Sequence, residues 1–444
     1  MAINTPKHLN NMTIYQVYVR NHGPNGTFKD VQNDLDRIQS MNVDVVYLMP
    51  IHPIGQQNKK GALGCPYSIK DYRAINAEYG TEQDFRELVD AIHVRGMKVM
   101  IDVVFNHTAY DARYIEEHPD WYHRDENGKP YTSTPAWDDV IDLKHPNQEL
   151  WNYLVGSLTK WVGFGVDGFR CDVASLLPIE FWERARKACA MVNRNTMWLA
   201  ESVHLNFVRQ RRNKGLSTES DSALYNAFDM GYDYDIWTVW QAAVVGEMPV
   251  ERYIEMLHLQ DSIYPENFIK MRCVENHDQP RIQKLAGTPE KALAWTAFSA
   301  FNKGPFFIYA GQESAAMHTP SLFGIDKIDW KNYELQETIA KLAALKKDSA
   351  LVNGKLRFTA AEPTLQAVWM NGDESLVGIF NVNSASGKTK VFVADDEYED
   401  LLTGESIAVS NGECKLPESA FIFRCALFES PKELQTPLMN FWTE

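Results

Sequence analysis

The chain has 444 residues, 45% of them hydrophobic and 23% charged, with 12 Trp, 19 Tyr and 21 Phe. This length exceeds a single small module, since a domain takes roughly 150 residues and one barrel about 250, and the apolar content excludes a disordered chain. Lys and Arg number 44 against 59 Asp and Glu, a formal charge of -15. That balance disfavours nonspecific attraction to nucleic acid or an anionic membrane, so neither is expected as a partner and a neutral or cationic ligand is.

The opening MAINTPKHLNN has no apolar leader and no small-residue cleavage pattern, so the expected location is the cytoplasm. The longest apolar stretch, Ala292 to Ala310, is broken by Asn302, Lys303, Gly304 and Pro305 and reads as a buried helix followed by a buried strand, not as a membrane span. Cys65, Cys171, Cys189, Cys273, Cys414 and Cys425 lack C-x-x-C spacing and read as reduced, mostly buried thiols, with a Cys414–Cys425 pairing as the alternative. The N-x-S/T matches at Asn11, Asn25 and Asn106 read as chance.

In chain order, strands are expected at Ile14 to Val19, Val43 to Met49, Lys98 to Phe105, Val166 to Cys171, Met197 to Leu199, weakly at Ala223 to Phe228, then at Phe268 to Val274 and Phe306 to Tyr309. Runs such as VDVVYLM and KVMIDVVF are apolar on both faces, as in a parallel sheet covered by helices. Helical patterns lie between them at Asp30 to Met41, Gln83 to Arg95, Gln148 to Phe164 and Glu180 to Met191. Strands alternating with helices in this way predict an α/β protein built on a (β/α)8 TIM barrel, whose active site sits at the C-terminal ends of the strands. The barrel is expected over residues 1–107 and 148–351, with a short inserted excursion after strand 3 at 108–147. A C-terminal all-β sandwich is expected at 352–444, where short alternating runs such as LQAVWM begin.

Four segments put polar groups at the ends of these strands. Asp102 and Asn106 of DVVFNH share a face at period two, with His107 next; an acidic strand end and a helix cap are the plainer reading. Arg170 and Asp172 of GFRCDVA point the same way, and a guanidinium beside a carboxylate favours the ionised form that a nucleophile needs, although a structural salt bridge has the same spacing. Glu201 ends the apolar WLAE, surroundings that raise a carboxyl toward general-acid behaviour. The cluster Glu275-Asn-His277-Asp278-Gln-Pro-Arg281 is too dense in ionisable groups for ordinary packing. Three carboxylates converging from strands 4, 5 and 7 suit cleavage of a glycosidic bond. The same groups could hold divalent metals, but H-x-x-E-H or H-x-H spacing is not evident.

These four segments, in order and spacing, resemble the signature regions of the α-amylase family of retaining glycoside hydrolases. GCPYSIKDY at Gly64 to Tyr72 and GPFFIYAGQE at Gly304 to Glu313 are similar to two further family motifs. The resemblance implies Asp172 as nucleophile, Glu201 as general acid/base and Asp278 as the third carboxylate. It implies Arg170, His107 and His277 lining the same sugar subsite, Asp102 nearby and Tyr67 stacking on the sugar ring. The substrate it implies is an α-glucan oligosaccharide, with no cofactor needed for the chemistry.

The chain departs from the family pattern in three places. Val173-Ala174-Ser175-Leu176 follows Asp172 where typical α-amylases carry a Lys-His pair, Pro66-Tyr67-Ser68 replaces Gly-Tyr-Asp, and the calcium motif of many relatives is reduced to Asn106 and Asp142 as candidate ligands of a structural calcium. Asp125-Glu-Asn127-Gly128 reads as a turn. The expected activity is hydrolysis of α-1,4 bonds in maltooligosaccharides, with some transglycosylation. The alternatives are α-1,6-glucosidase, cyclomaltodextrinase or neopullulanase-like, or glucanotransferase activity on the same fold, and more remotely a noncatalytic sugar-binding protein. The β domain offers no aromatic platform beyond Trp369 and is assigned a supporting role.

Overall fold

β1 (Thr13–Val17), β2 (Val45–Leu48) and β3 (Lys98–Val103) pair side by side in parallel, and all of β1 and β2 is buried, as their two-faced apolar runs require. The excursion after β3 carries β4 (His107–Ala109) and β5 (Val140–Asp142), an antiparallel pair with His107 opposite Asp142. The parallel sheet resumes with β6 (Gly168–Cys171), β7 (Met197–Ala200) and β8 (Met230–Tyr232). The computed structural model describes residues 4–372, 374–426 and 431–437.

The helices between these strands bury one face and start from identifiable caps. Helix Gln148–Phe164 opens on the Asn147 side chain, which accepts the N–H groups of Glu149 and Leu150, and closes on Gly165 at φ 110. Helix Glu82–Val94 opens on a Thr81/Asp84 capping box. The helix expected from Asp30 to Met41 is two, Phe28–Asn33 and Leu35–Ser40, jointed at Asp34. The Asp34 carboxylate there binds His22 at 2.8 Å and Arg37 at 2.6 Å.

One strand is misplaced by the sequence reading. The segment expected as a strand at Ala223 to Phe228 begins in a helical turn, Asp221–Leu224, because Ser220 caps it through the N–H of Ala223. The strand is β8, in register once Asp229 Oδ2 takes the N–H of Trp198 at 3.0 Å.

The chain divides into two compact units. The first comprises Ile14–Asp235 with Pro320–Asp329, and the second Pro6–Thr13, Ile236–Thr319 and the chain from Trp330 onward. The second holds β9 (Lys270–Met271), shorter than the expected Phe268 to Val274, the buried helix Pro289–Phe301 and β10 (Phe306–Tyr309), with Arg272 bridging Phe306 in parallel. It continues into β11 (Lys355–Ala360), β12 (Leu365–Asn371), β13 (Glu374–Phe380), β14 (Lys388–Lys390), β15 (Glu397–Glu399), β16 (Ser406–Ser410), β17 (Glu413–Lys415) and β18 (Ala420–Ala426). These form two four-stranded antiparallel sheets, β11-β12-β13-β18 and β14-β17-β16-β15.

Val368, Val377, Ile379, Val409 and Phe423 meet in the core of these sheets, together with Cys414 and Cys425. All six cysteines are free thiols, so the Cys414–Cys425 pairing is not formed. Trp369 is buried and donates its indole N–H to the Phe301 carbonyl at 2.7 Å, so it is a packing residue and not a platform. Among the described residues no helix is long and apolar enough to cross a membrane.

Candidate active site

The parallel register sets Asp102 of β3 opposite Arg170 of β6, and both are fully buried. Arg170 Nη1 donates to Asp102 Oδ1 and to Asp172 Oδ1, each at 2.9 Å, and its Nη2 lies 3.0 Å from Glu201 Oε1. One guanidinium therefore spans carboxylates from the ends of three neighbouring strands, a task suited to its planar fork of donors. Burial opposes the charge on Arg170, but Asp102 and Glu201 outweigh it and hold the group protonated, well above its ordinary range. Asp172 and Glu201 are each 7% exposed, which leaves both carboxylates in reach of a solute.

Asp102 is fixed from its other side. Its Oδ2 accepts the hydroxyls of Tyr47 at 2.6 Å and Tyr67 at 2.8 Å. Tyr67 thus anchors a carboxylate, with its ring 5.6 Å from the Arg170 guanidinium carbon; Tyr232 of β8 stands 5.4 Å from the same atom. Tyr47 and Tyr232 escaped the sequence reading. The signal for Tyr47 was a phenol inside the otherwise apolar VVYLM, since a buried Tyr hydroxyl needs a partner. Burial pushes that phenol well above its usual pKa, so it stays a donor.

Val173 follows Asp172 with φ 37 and ψ 46, a left-handed conformation costly for a β-branched residue. The turn points its N–H at Glu201 Oε2, 2.7 Å away, while the Glu201 carbonyl takes the N–H of Ala174 at 3.0 Å. The segment after the β6 carboxylate is thereby stitched to the β7 carboxylate.

His107 is buried, and burial lowers its pKa, so the neutral ring accepts the Asn106 amide at Nδ1, 3.2 Å away. Trp137 of the excursion packs 5.5 Å from that ring. Ser68, where the family carries a carboxylate, donates instead to the Asp139 carbonyl at 3.0 Å. The Asp125 turn forms as expected, with its carboxylate taking the N–H groups of Asn127 and Lys129.

Asp142 Oδ2 is occupied by the N–H and hydroxyl of Ser133, and only its Oδ1 is buried without a partner. Asp142 thus offers one unoccupied oxygen, where calcium takes roughly six to eight oxygen ligands. Among the described residues no group of three or more His, Cys, Asp or Glu is placed to hold a metal ion. No chemical step below depends on a metal.

The fourth segment, in the second unit, separates into two pairs. Glu275 and Arg281 are fully buried, paired at 2.6 Å, and Glu275 also takes the N–H of Ile282 at 2.7 Å. Burial raises the Glu275 pKa and Arg281 opposes the rise. This pair knits the loop, so part of the charge density read as chemistry is structural. His277 is buried and lies 3.1 Å from Asp278, whose side chain is 42% exposed. Asp278 is thus a partly solvent-facing carboxylate beside a buried imidazole.

Residues 7–352 match the alpha amylase catalytic domain family, and residues 357–423 match the bacterial alpha amylase C-terminal domain. The chain belongs to the alpha-amylase family. It is similar to the crystal structure of an alpha-amylase from Lactobacillus plantarum, with 38% identity and a TM-score of 0.91 over 95% of this chain and 100% of that one. A noncanonic maltogenic alpha-amylase, AmyB from Thermotoga neapolitana, follows at 32% identity and a TM-score of 0.84, again over 95% and 100%.

Among curated proteins, alpha-amylase MalA of Haloarcula japonica is 27% identical over 88% of this chain and 58% of its own length. An alpha-1,4-glucan:maltose-1-phosphate maltosyltransferase of Picrophilus torridus is 27% identical over 55% of this chain and 38% of its own length. The chain thus spans little more than half of these curated relatives or less. The fold class expected from the sequence, a (β/α)8 barrel followed by an all-β domain, stands with this alpha-amylase family membership.

Proposed function

We propose that this alpha-amylase family chain is a retaining glycoside hydrolase that cleaves α-1,4 bonds of maltooligosaccharides, with transglycosylation as a side reaction. The observation that carries the proposal is the Arg170 guanidinium bound at once to Asp102, Asp172 and Glu201. Arg170 holds Asp172 as an anion ready to attack the anomeric carbon while Glu201 protonates the departing oxygen. Water then enters, gives its proton to Glu201 and releases the sugar from Asp172 with its configuration retained. Two carboxylates gripped by one guanidinium favour the close separation, about 5 Å, that a covalent intermediate needs over the wider gap of an inverting site. By resemblance to the family, Asp278, His277 and His107 are assigned to binding sugar hydroxyls.

The relatives named as alpha-amylase and maltogenic alpha-amylase support a glucan substrate, and the maltosyltransferases support some transfer. Six free thiols fit a reducing compartment, and we assign the enzyme to the cytoplasm on that ground. The test is a chromatographic product profile on maltoheptaose, panose, pullulan and β-cyclodextrin, with Asp172→Asn beside the wild type. Short maltooligosaccharides from maltoheptaose, absent with the variant, support the proposal. Faster consumption of panose or cyclodextrin replaces it with the α-1,6 or cyclodextrin reading, and inertness on all four refutes it.

A further inference from the structure

Arg20 lies just past the end of β1, in the short helical turn Val19–His22, and is 1% exposed. A guanidinium has five N–H donors, and here each meets an acceptor. Nε and Nη2 clasp the Glu78 carboxylate at 2.6 and 2.8 Å. Nη1 donates to the carbonyls of Gly64 at 3.2 Å and Leu322 at 2.9 Å, and Nη2 reaches the Leu63 carbonyl at 3.4 Å. One buried cation thus joins three loop segments of the first unit, at residues 63–64, 78 and 322.

The first of these segments carries Tyr67. Only Cys65 and Pro66 lie between Gly64 and that ring, and they form a turn in which the Ser68 N–H donates to the Cys65 carbonyl at 3.0 Å. Proline fixes its own φ, so this turn has little slack to absorb a movement of Gly64. Gly64 stands at φ 78, and a side chain there would run into Ile54, so the backbone is confined at that point too. Tyr67 then gives its hydroxyl to Asp102 Oδ2 at 2.8 Å, and Asp102 holds Arg170. Bonds and stiff backbone therefore connect Arg20 to the carboxylate cluster.

We propose that Arg20 is a positioning residue for the reaction: by fixing the Gly64 carbonyl it sets the Tyr67 ring against the sugar and the Tyr67 hydroxyl on Asp102. The proposal rests on the glucan reading above and on the stacking role that the family resemblance implies for Tyr67. A lysine does not substitute for Arg20, because a single ammonium has three donors and no planar fork to serve the carboxylate and both loops at once. A purely structural role would lower the folded fraction and leave the KM of the folded enzyme unchanged.

The experiment is a double-mutant cycle on maltotriose hydrolysis with Arg20→Lys and Tyr67→Ala, measuring kcat and KM separately. Arg20→Lys should lower kcat/KM by roughly 10–100-fold, with a raised KM as part of that loss. In the Tyr67→Ala background the same substitution should cost no more than about twofold, because the group it acts through is gone. Glu78→Gln loosens the same clasp at a partly exposed position, and it carries the cycle if Arg20→Lys does not fold. Its loss should be smaller and should vanish in the same background. Equal losses in both backgrounds, or an unchanged KM in both variants, overturn the proposal and leave the glucan reading standing. A wild type inert on maltotriose removes the glucan reading and this proposal together.

Discussion

Glu201 Oε2 accepts the backbone N–H of Val173 at 2.7 Å, so the carboxylate that ends β7 is tied to the residue immediately after Asp172. Its other oxygen meets Arg170 Nη2 at 3.0 Å, and Arg170 also holds Asp172. The two carboxylates assigned to catalysis are therefore positioned by one another's supports, and the left-handed turn at Val173 is what aims the N–H.

That turn makes an unusual stability ranking. A non-glycine residue in such a conformation costs on the order of 1–3 kcal/mol, while burying a Val side chain contributes about 1.5–3 kcal/mol. Val173→Gly loses the burial and relieves the strain, so its thermal midpoint should lie near the wild type. Val173→Ala loses much of the burial and keeps the strain, and should be the less stable of the two. Thermal denaturation of both variants checks this, and Ala more stable than Gly would contradict strain at this position.

Glu201→Gln tests the acid role. The amide has one acceptor where the carboxylate has two, so either Val173 N–H or Arg170 loses a partner, at a cost of about 1–3 kcal/mol in stability. Hydrolysis of maltotriose, a poor leaving group, should fall by roughly 10²–10⁴-fold. An activated aryl maltoside, which needs little protonation, should lose far less in the glycosylation step. Equal losses on both substrates would remove Glu201 from that role.

The carboxylate cluster was legible because period two and strand-end position are sequence properties. Arg170 on β6 with Asp172 two residues on, just past its end, and Asp102 near the end of β3 follow from those alone. Tyr47 was not, because a tyrosine within an apolar strand looks like core until its hydroxyl partner, Asp102, is seen on the neighbouring strand. Glu275 and Arg281 erred in the other direction, since charge density in a sequence does not separate a catalytic group from a buried pair. β8 was displaced because Met-Gly-Tyr carries no β-branched residue, whereas its position depends on the bond from Trp198 to Asp229.

Replacing Arg170 by Lys should be among the most damaging single changes. A Lys ammonium is a compact point charge on a flexible stem, so it does not reproduce the planar fork that reaches three carboxylates at 2.9 to 3.0 Å. Leaving buried carboxylates uncompensated costs about 3–5 kcal/mol, and activity on maltoheptaose should fall by at least about 10²-fold with the misplaced pair. Urea denaturation and the maltoheptaose assay measure the two effects. Wild-type values in both would mean that Arg170 does not organise the site.

Acid sensitivity should come from two histidines that the chemistry does not use. His52 is fully buried, its Nδ1 on the Ala74 carbonyl at 3.0 Å, and burial lowers its pKa to about 4. Half-buried His145 gives its Nε2–H to the Phe105 carbonyl at 3.0 Å and receives the Trp151 indole N–H on Nδ1 at 3.0 Å, an arrangement only the neutral ring satisfies. Burial lowers it as well, to about 4. Between about pH 6.5 and 4 the unfolded chain binds protons at these rings that the folded chain refuses, so stability falls as pH drops through that window and the loss levels off below it. For His52 alone the loss by pH 4 is on the order of 3 kcal/mol. Urea midpoints for the wild type and His145→Gln, measured from pH 7.5 down to 4.5, should show a shallower decline in the variant. Parallel curves would clear His145 of any part in the acid limb.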